Sequence, residues 1–365
     1  MKARVLLDHA QAPITGREVR LVALWAAGLL LLYGLGGGFG VHLLKGYKAQ
    51  TARFRHDWVQ AAQIGPSAGP SEGTLPGGTG PVDVNVGIYI DRIGEFSPRE
   101  NRWTAEFDLW FSWTGDPVRP GETFEVVDGQ VERQEKVAST SEGGRHVERY
   151  RVRARILKFI DASRFPFCDE ELAVQIEEGI GGAGALRYVA DTRKSGIDPQ
   201  AVRRFLRITR SAALVKEHTR GADRIAHSRF IYAMLVSPVG VGFYVKMFQG
   251  LFASVAVACV AFSIRPVHIA SRLSLGIGAF FAVMGNQISL GTVLLVSDRL
   301  SLADMVTGVG LATIFLTLVE SAISLYLLVS KGREQVARLL DRTSLVVLLL
   351  AYGTVNVLLP LAAGP

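Results

Sequence analysis

The chain has few of the residues that build disulfide frameworks, metal sites or catalytic centres. Only two cysteines, Cys168 and Cys259, occur among its 365 residues, and Cys259 lies inside an apolar run. A single thiol in the polar part of the chain can form neither an internal disulfide nor a cysteine metal cluster there. The seven histidines show no metal-ligand spacing, and there is neither a Ser-His-Asp combination nor a phosphate-binding loop. The sequence therefore predicts no enzyme, no bound metal and no cofactor.

Charged residues are also scarce in five long stretches, which apolar residues fill instead. The chain is 49% hydrophobic and 20% charged, yet residues 45–235 have the composition of an ordinary soluble protein. Each apolar stretch has about the twenty residues that a bilayer-spanning helix requires. Unpaired backbone groups are costly in lipid, so these stretches must be helical. The predicted spans are residues 21–44, 243–264, 273–296, 305–329 and 345–363.

The first apolar stretch has two interpretations, a cleaved signal peptide or an uncleaved membrane anchor. Residues 21–44 exceed a typical signal-peptide core, and no small-residue cleavage site follows them. We therefore interpret residues 21–44 as an N-terminal transmembrane anchor and residues 1–20 as a cytoplasmic tail.

Lysine and arginine predict how the spans are oriented. Short segments rich in these residues stay on the cytoplasmic side, and with five spans all three basic segments fall on one side. The net charge of +7 is explained in this way rather than by nucleic-acid binding. The sequence predicts a multi-pass protein of the cell (inner) membrane, with residues 45–238 and the C-terminus outside or in the periplasm. The basic residues of the three segments are Lys2, Arg4, Arg17, Arg20, Arg265, Arg272, Lys331, Arg333, Arg338 and Arg342.

The outer domain has the pattern of a β-rich fold. Residues 45–80 are a juxtamembrane segment, either a short surface helix or a plain stalk, and end in a flexible linker rich in Gly, Pro and Ser. In residues 81–238, short runs with period-two alternation are separated by turn signals, which favours a β-sandwich. The predicted strands are residues 82–90, 103–113, 122–131, 147–157, 172–177, 186–190, 202–215 and 229–236. The predicted fold class is membrane α+β: a β-sandwich, a four-helix transmembrane domain at residues 239–365, and one additional N-terminal helix.

The order of several motifs resembles the pentameric ligand-gated ion channel family, also called Cys-loop receptors, and most of all its bacterial members. Trp113, followed by Asp116, resembles the Trp-x-Asp region after the second strand of that family. Phe165-Pro166-Phe167 resembles its Pro-loop, with Asp169 one place later than the usual acidic residue. Residues 272–277 resemble the start of the pore-lining helix, and Asp304 resembles the acidic residue that opens the next span. The resemblance covers residues 82–363.

This resemblance implies a homopentameric channel that is opened by a small extracellular ligand or a proton. The ligand would bind between subunits in an aromatic pocket, to which Trp110 and Tyr150 could contribute; both could instead be core or surface strand residues. A gating interface would couple the outer domain to the pore, and the partners would be identical subunits and the bilayer, without nucleic acid. The predicted gating residues are Phe165, Pro166, Phe167, Asp169, Asp298 and Asp304.

One predicted helix has a stripe of residues that could line a pore. Its members recur at steps of three and four, which puts them on one helix face. Five copies around an axis would form a pore with an apolar constriction at Phe281, and such constrictions gate by dewetting. The alternative is that the small residues allow close packing between helices. The stripe consists of Ser274, Gly278, Phe281, Gly285, Ile288 and Thr292.

Two charged residues bear on ion selectivity and gating. Arg272 is predicted to form a cytoplasmic charge ring, which would favour anions, unless its side chain points away from the axis. Glu320 lies inside the fourth span, where a carboxylate is costly and usually has a partner. We favour a buried pair with a basic residue such as Arg272 over proton sensing.

Other functions fit the same architecture. The main alternative is a membrane sensor or scaffold that does not conduct ions. A secondary transporter is less favoured, because the four consecutive spans contain neither an internal repeat nor a pair of broken helices.

Overall fold

The computed structural model describes residues 14–64, 81–115, 118–179, 186–202, 206–220, 225–238, 241–293 and 299–364. The chain divides into two compact units. The helical unit comprises Met1–Ala49, Ala162–Phe167 and Val241–Pro365, and the sheet unit comprises Gln50–Asp161 and Cys168–Gly240. The short segment Ala162–Phe167 therefore belongs to the helices, although it is flanked by strands along the chain.

Five long helices occur among the described residues, and each contains a segment long and apolar enough to cross a membrane. Each of them overlaps one of the predicted spans. The helices are α1 (Gly16–Ile64), α2 (Val241–Val260), α3 (Ile269–Val293), α4 (Leu302–Val329) and α5 (Glu334–Ala363). Single helical turns also occur at Pro120–Thr123, Ala162–Arg164 and Ala261–Ser263.

Helix α1 is much longer than the predicted span at residues 21–44. It continues without interruption through the juxtamembrane residues to Ile64, so residues 45–60 are helical, as a continuation of α1 rather than as a separate short helix. This stretch has no proline and is rich in Ala, Gln, Lys and Arg, which are strong helix formers. The predicted linker begins inside the helix, and its residues 65–80 lie outside the described part of the chain.

Helix α1 packs along α4 and α5 within the helical unit. The indole Nε1 of Trp25 donates a hydrogen bond to Ser344 Oγ at 3.0 Å. The hydroxyls of Tyr33 and Thr313 are 2.5 Å apart. A Cβ atom on Gly37 would come within 2.9 Å of a valine of α5, so the glycine-rich middle of α1 allows a close approach between helices.

The sheet unit contains a six-stranded and a four-stranded sheet within the described residues. The six-stranded sheet has the order β4-β5-β2-β1-β7, with β8 also paired to β1, and the four-stranded sheet has the order β3-β6-β10-β9. Pairing is antiparallel except where β7 and β8 join β1. The strands are β1 (Val82–Ser97), β2 (Arg102–Thr114), β3 (Phe124–Val126), β4 (Gly129–Glu142), β5 (Arg145–Leu157), β6 (Glu170–Glu178), β7 (Leu186–Ala190), β8 (Gly196–Ile197), β9 (Leu206–Arg220) and β10 (Ile225–Pro238).

Both sheets contribute to one hydrophobic core. Alternate residues of β2, such as Phe107, Leu109 and Phe111, are fully buried, and so are Val174 of β6 and Phe230 of β10. Each such side chain contributes about 1.5–3 kcal/mol through its removal from water. The period-two pattern in the sequence corresponds to this buried face.

One predicted strand, residues 122–131, is wrong as a single element. The chain turns at Asp128, which has a φ of 53°, and the flanking strands β3 and β4 belong to different sheets. Aspartate tolerates this left-handed conformation better than most residues. A Cβ atom on the following Gly129 would come within 2.7 Å of Val126, so the tight turn also requires the glycine.

Candidate functional site

Helix α3 has one buried face and one exposed face. The buried residues include Arg272, Gly276, Ala279, Val283 and Leu290, spaced as one side of a helix requires. The predicted pore-lining residues all lie on the exposed side; they are Ser274, Gly278, Phe281, Gly285, Ile288 and Thr292. The largest of them, Phe281 and Ile288, are 68% and 75% exposed. The subunit itself leaves this stripe uncovered.

The glycines of α3 fall into two classes. A Cβ atom on Gly276 would lie 2.3 Å from a methyl group of Leu318 on α4, so Gly276 permits close packing within the subunit. A Cβ atom on Gly278 or Gly285 would meet no atom within 4 Å. Close helix packing inside one subunit therefore explains Gly276 and leaves the two stripe glycines unexplained.

The environment of Arg272 does not support the predicted charge ring. Only 1% of this residue is exposed, because it shares the buried face of α3 with Gly276. Its Nη2 donates to Asp341 Oδ2 at 2.5 Å and its Nη1 to Oδ1 at 3.2 Å. Its Nε donates to the carbonyl of Ile264 at 2.9 Å. The guanidinium thus points into the helical unit and away from the exposed stripe.

Glu320 lies beside this pair, as the sequence indicates. The residue is fully buried, and its Oε2 is 4.0 Å from Arg272 Nη1. Neither of its carboxylate oxygens accepts a hydrogen bond within the described part of the chain. We call Arg272, Glu320 and Asp341 the buried charge cluster; it places two carboxyl groups beside one guanidinium.

The sequence does not identify Asp341 as the partner of Arg272. The last predicted span begins at residue 345, which places Asp341 in a cytoplasmic link. Helix α5 begins eleven residues earlier, at Glu334, and brings Asp341 into the interior of the helical unit. An aspartate one turn before an apolar run was the available signal.

The Phe-Pro-Phe motif packs within the helical unit. The ring of Phe165 lies edge-on to Phe243 with centroids 5.7 Å apart, and the ring of Phe167 lies 5.6 Å from that of Tyr244. Both partners belong to the first turn of α2. The segment Ala162–Phe167 is therefore attached to the beginning of α2 through two aromatic contacts.

A polar contact joins the same segment to the end of α5. The guanidinium of Arg164 donates from Nη1 to the backbone carbonyl of Ala363 at 3.2 Å. Pro166 is buried, and the peptide bond that precedes it is cis. Together with the aromatic contacts, the hydrogen bond from Arg164 to Ala363 connects one short segment to two transmembrane-length helices.

Two of the three predicted acidic gating residues are described, and they have separate environments. In the sheet unit, Asp169 Oδ1 accepts a hydrogen bond from Ser237 Oγ at 2.5 Å. In the helical unit, Asp304 caps α4 by accepting from the backbone and hydroxyl of Ser301 at 2.9 and 2.7 Å. Asp298 lies outside the described residues.

Tyr150 is a core strand residue, which is the alternative to ligand binding that the sequence leaves open. Its position in β5 faces the core, so only 3% of the residue is exposed, and its ring lies beside Phe111 and Phe124. The hydroxyl donates to Glu148 Oε2 at 3.0 Å. Burial raises the pKa of Tyr150 to about 12. The side chain is a structural part of the sheet unit.

Trp110 lies on the opposite face of the six-stranded sheet and is half-buried. Its Nε1 donates to Asp191 Oδ2 at 3.3 Å. The ring lies across Gly87, where a Cβ atom would come within 2.3 Å of it. This aromatic side chain remains accessible, in contrast to Tyr150.

The described part of the chain contains no cluster of three or more His, Cys, Asp or Glu that could hold a metal ion. Both cysteines are buried, and neither forms a disulfide within the described part of the chain.

No protein-family model and no curated protein matches this chain.

Proposed function

We propose that the protein is a subunit of a homopentameric ligand-gated ion channel, with ions passing along the exposed stripe of α3. The observation that carries the proposal is that Ser274, Gly278, Phe281, Gly285, Ile288 and Thr292 all lie on the exposed side of α3, where the subunit leaves them uncovered. A stripe that mixes glycine and hydroxyl side chains suits a surface shared with water better than one shared only with lipid.

The proposed gate is a ring of Phe281 side chains. Gly278 and Gly285 lie about one helical turn to either side of Phe281 and have open space around them. Five copies would therefore alternate wide rings of glycine with a narrow apolar ring. A narrow apolar ring excludes water and ions until the helices move apart.

The proposed sensor is the sheet unit, interpreted as a β-sandwich. The single core shared by both sheets supports this interpretation. The signal would reach the pore through the segment Ala162–Phe167, which contacts α2 and is followed directly by Cys168 of the sheet unit. A ligand that binds one arrangement of this segment more tightly would shift the pore equilibrium.

The proposed anion preference rests on fewer groups than the sequence indicates. Arg272 is paired with Asp341 and does not contribute a charge to the pore. Arg265 and His268 are exposed just before α3 and are the remaining positive groups at this end. A positive ring at a pore entrance favours anions, and reversal potentials in asymmetric chloride test this preference.

The experiment is electrical recording from the purified full-length protein in lipid bilayers. We expect a particle with five times the 39.6 kDa mass of the chain and a current that Phe281→Ser increases in the absence of ligand. The matched control is Phe280→Ser, which removes the neighbouring ring from a different helix face and should leave the resting current unchanged.

A monomeric particle, or a pentamer that passes no current even with Phe281→Ser, would overturn the channel proposal. A silent pentamer would instead favour the non-conducting sensor or scaffold.

A further inference from the structure

Nearly all cations of the six-stranded sheet are neutralised by carboxylates. Within the described residues, every Lys and Arg of its strands except one has a carboxylate oxygen within 4.0 Å. The paired residues are Arg92, Arg102, Arg133, Lys136, Arg149, Arg151, Arg153, Arg155 and Arg187. The exception is Arg145, at the start of β5.

Arg145 lines a cleft of about 460 Å³ together with Arg193 and Lys194. Like Arg145, the latter two make no ion pair with any described residue. Asp191 is the single carboxylate in the lining, so three cations surround one anion and the cleft carries a net charge of +2. We call this concavity the Trp110 cleft, after the aromatic side chain that forms part of its wall.

The aromatic wall is fixed in place by its neighbours. The indole of Trp110 lies against Gly87, where any side chain would collide with it. Asp191 Oδ2 accepts a hydrogen bond from the indole N–H of Trp110 at 3.3 Å, so the one carboxylate of the lining is hydrogen-bonded to the aromatic wall. One face of the ring system is therefore packed on the sheet, and the exposed part of the indole borders the cleft.

The loop that supplies two of the cations is also held in position. The backbone N–H of Asp191 donates to the carbonyl of Val86 at 2.8 Å, and Asp191 Oδ1 accepts the backbone N–H of Lys194 at 3.2 Å. Ser195 Oγ accepts the backbone N–H of Ile88 at 3.2 Å. Ordering the loop before binding reduces the entropic cost of capturing a ligand.

We propose that the Trp110 cleft binds a small organic anion that has a planar group. Its carboxylate or phosphate oxygens would pair with Arg145, Arg193 and Lys194, since charge-assisted hydrogen bonds to guanidinium groups are strong and directional. Its planar part would contact the indole of Trp110. Asn85 adds an amide N–H to the polar lining.

This proposal names a ligand class for the outer domain. Binding at the cleft is independent of the proposed channel function, whereas an effect of binding on ion current rests on it.

The test is calorimetric titration of the detergent-solubilised full-length protein with benzoate, with its neutral isostere benzamide and with inorganic phosphate. We expect benzoate to bind, benzamide to show no measurable binding, and phosphate to bind more weakly because it cannot stack. The triple variant Arg145→Gln, Arg193→Gln, Lys194→Gln should weaken benzoate binding at least about tenfold, since it removes every cation proposed to pair with the carboxylate. Trp110→Leu should weaken benzoate and leave phosphate binding unchanged.

The matched control is the triple variant Arg207→Gln, Arg210→Gln, Lys216→Gln. It removes the same charge from exposed positions of β9 in the other sheet and should leave benzoate binding unchanged. Circular dichroism of each variant verifies that the sheets remain folded.

Several results would overturn the proposal. If benzoate fails to bind, or binds no better than benzamide, the cleft is not an anion site. If the two triple variants lose equal benzoate affinity, the binding reflects general surface charge rather than the Trp110 cleft. If phosphate binds as tightly as benzoate, or if benzoate binding survives Trp110→Leu, the proposed contact between the planar group and Trp110 is contradicted. Benzoate that binds as expected without changing any current would leave the cleft established and count against ligand gating alone.

Discussion

At the scale of single residues, the buried charge cluster is the feature with the largest energetic consequence. The guanidinium of Arg272 makes two hydrogen bonds to Asp341, whereas Glu320 lies 4.0 Å away and lacks hydrogen-bonded partners among the described residues. Removing one member of a buried ion pair strands the other charge in a medium of low polarity. The two carboxyl groups should therefore respond very differently to neutralisation.

We predict that Asp341→Asn lowers the free energy of unfolding by about 3–5 kcal/mol, because it leaves Arg272 buried without its partner. Glu320→Gln retains the Arg272–Asp341 pair and should change the same quantity by less than about 1 kcal/mol. Denaturant unfolding of the protein in detergent measures both. Glu334→Gln is the matched control on α5, since it breaks an exposed pair with Arg338 that contributes at most about 1 kcal/mol.

Equal losses for Asp341→Asn and Glu320→Gln would contradict this assignment of partners. A larger loss for Glu320→Gln would mean that Glu320 carries the ion pair.

Glu178 is a second residue whose environment determines its behaviour. It lies at the end of β6 and is buried, and no described cation lies within 4.0 Å of its carboxylate. Burial raises the pKa of Glu178 to about 7. The preceding residue, Glu177, is likewise buried and forms an ion pair with Arg229 at 3.3 Å.

We predict that the sheet unit becomes less stable as the pH rises from about 4.5 to about 7. Over this interval the folded chain keeps a proton on Glu178 that the unfolded chain has already lost, so the free energy of unfolding decreases with pH. At about 1.4 kcal/mol per pKa unit, the total decrease is roughly 3 kcal/mol. The midpoint of thermal unfolding, followed by tryptophan fluorescence, measures it. Glu178→Gln should flatten the pH dependence over this interval, and the exposed Glu217→Gln should leave it as in the original protein.

At the scale of elements, α3 shows how one helix can serve two surfaces. Its buried face carries the packing glycine Gly276 and the paired Arg272, while its exposed face carries the stripe proposed to line the pore. The two glycines Gly276 and Gly278 are only two residues apart, yet their surroundings are opposite. Substituting each glycine in turn therefore tests the stability of the subunit separately from the conductance of the proposed pore.

We predict that Gly276→Leu destabilises the protein by about 1–3 kcal/mol, because the new side chain collides with Leu318. Gly278→Leu meets open space and should preserve or raise stability by up to about 1 kcal/mol, the helix propensity gained over glycine. In the proposed channel it should also narrow the pore and reduce single-channel conductance. Thermal unfolding and bilayer recording measure the two effects.

Similar thermal stability for the two variants would contradict the two-faced packing of α3. A normal conductance in a well-folded Gly278→Leu variant would contradict the proposal that the stripe lines the pore.

At the scale of the whole molecule, the chain passes between the two units four times. The passages follow Ala49, Asp161, Phe167 and Gly240. The two middle passages bracket Ala162–Phe167, so a six-residue segment leaves the sheet unit, contacts α2 and α5, and returns. In the proposed channel, a change in the sheet unit would reach the helices through the covalent connections at both ends of this segment.

The sequence by itself determined the features that depend on local patterns. Five apolar runs predicted the five long helices, because the length of a membrane-spanning helix can be read directly from hydropathy. Period-two alternation predicted most strands, because it reports which residues share one face. The helical spacing of the stripe from Ser274 to Thr292 was readable for the same reason.

Only the tertiary structure decided which partner or which surface each face would meet. Asp341 became the partner of Arg272 because α5 starts earlier than its apolar run and brings the Asp341 carboxylate within hydrogen-bond distance of Arg272. Tyr150 and Trp110 are both aromatic strand residues. Tyr150 is buried in the core to which both sheets contribute, whereas Trp110 lies beside a cleft. The physical reason is that periodicity specifies a face, whereas burial and charge pairing depend on neighbours distant along the chain.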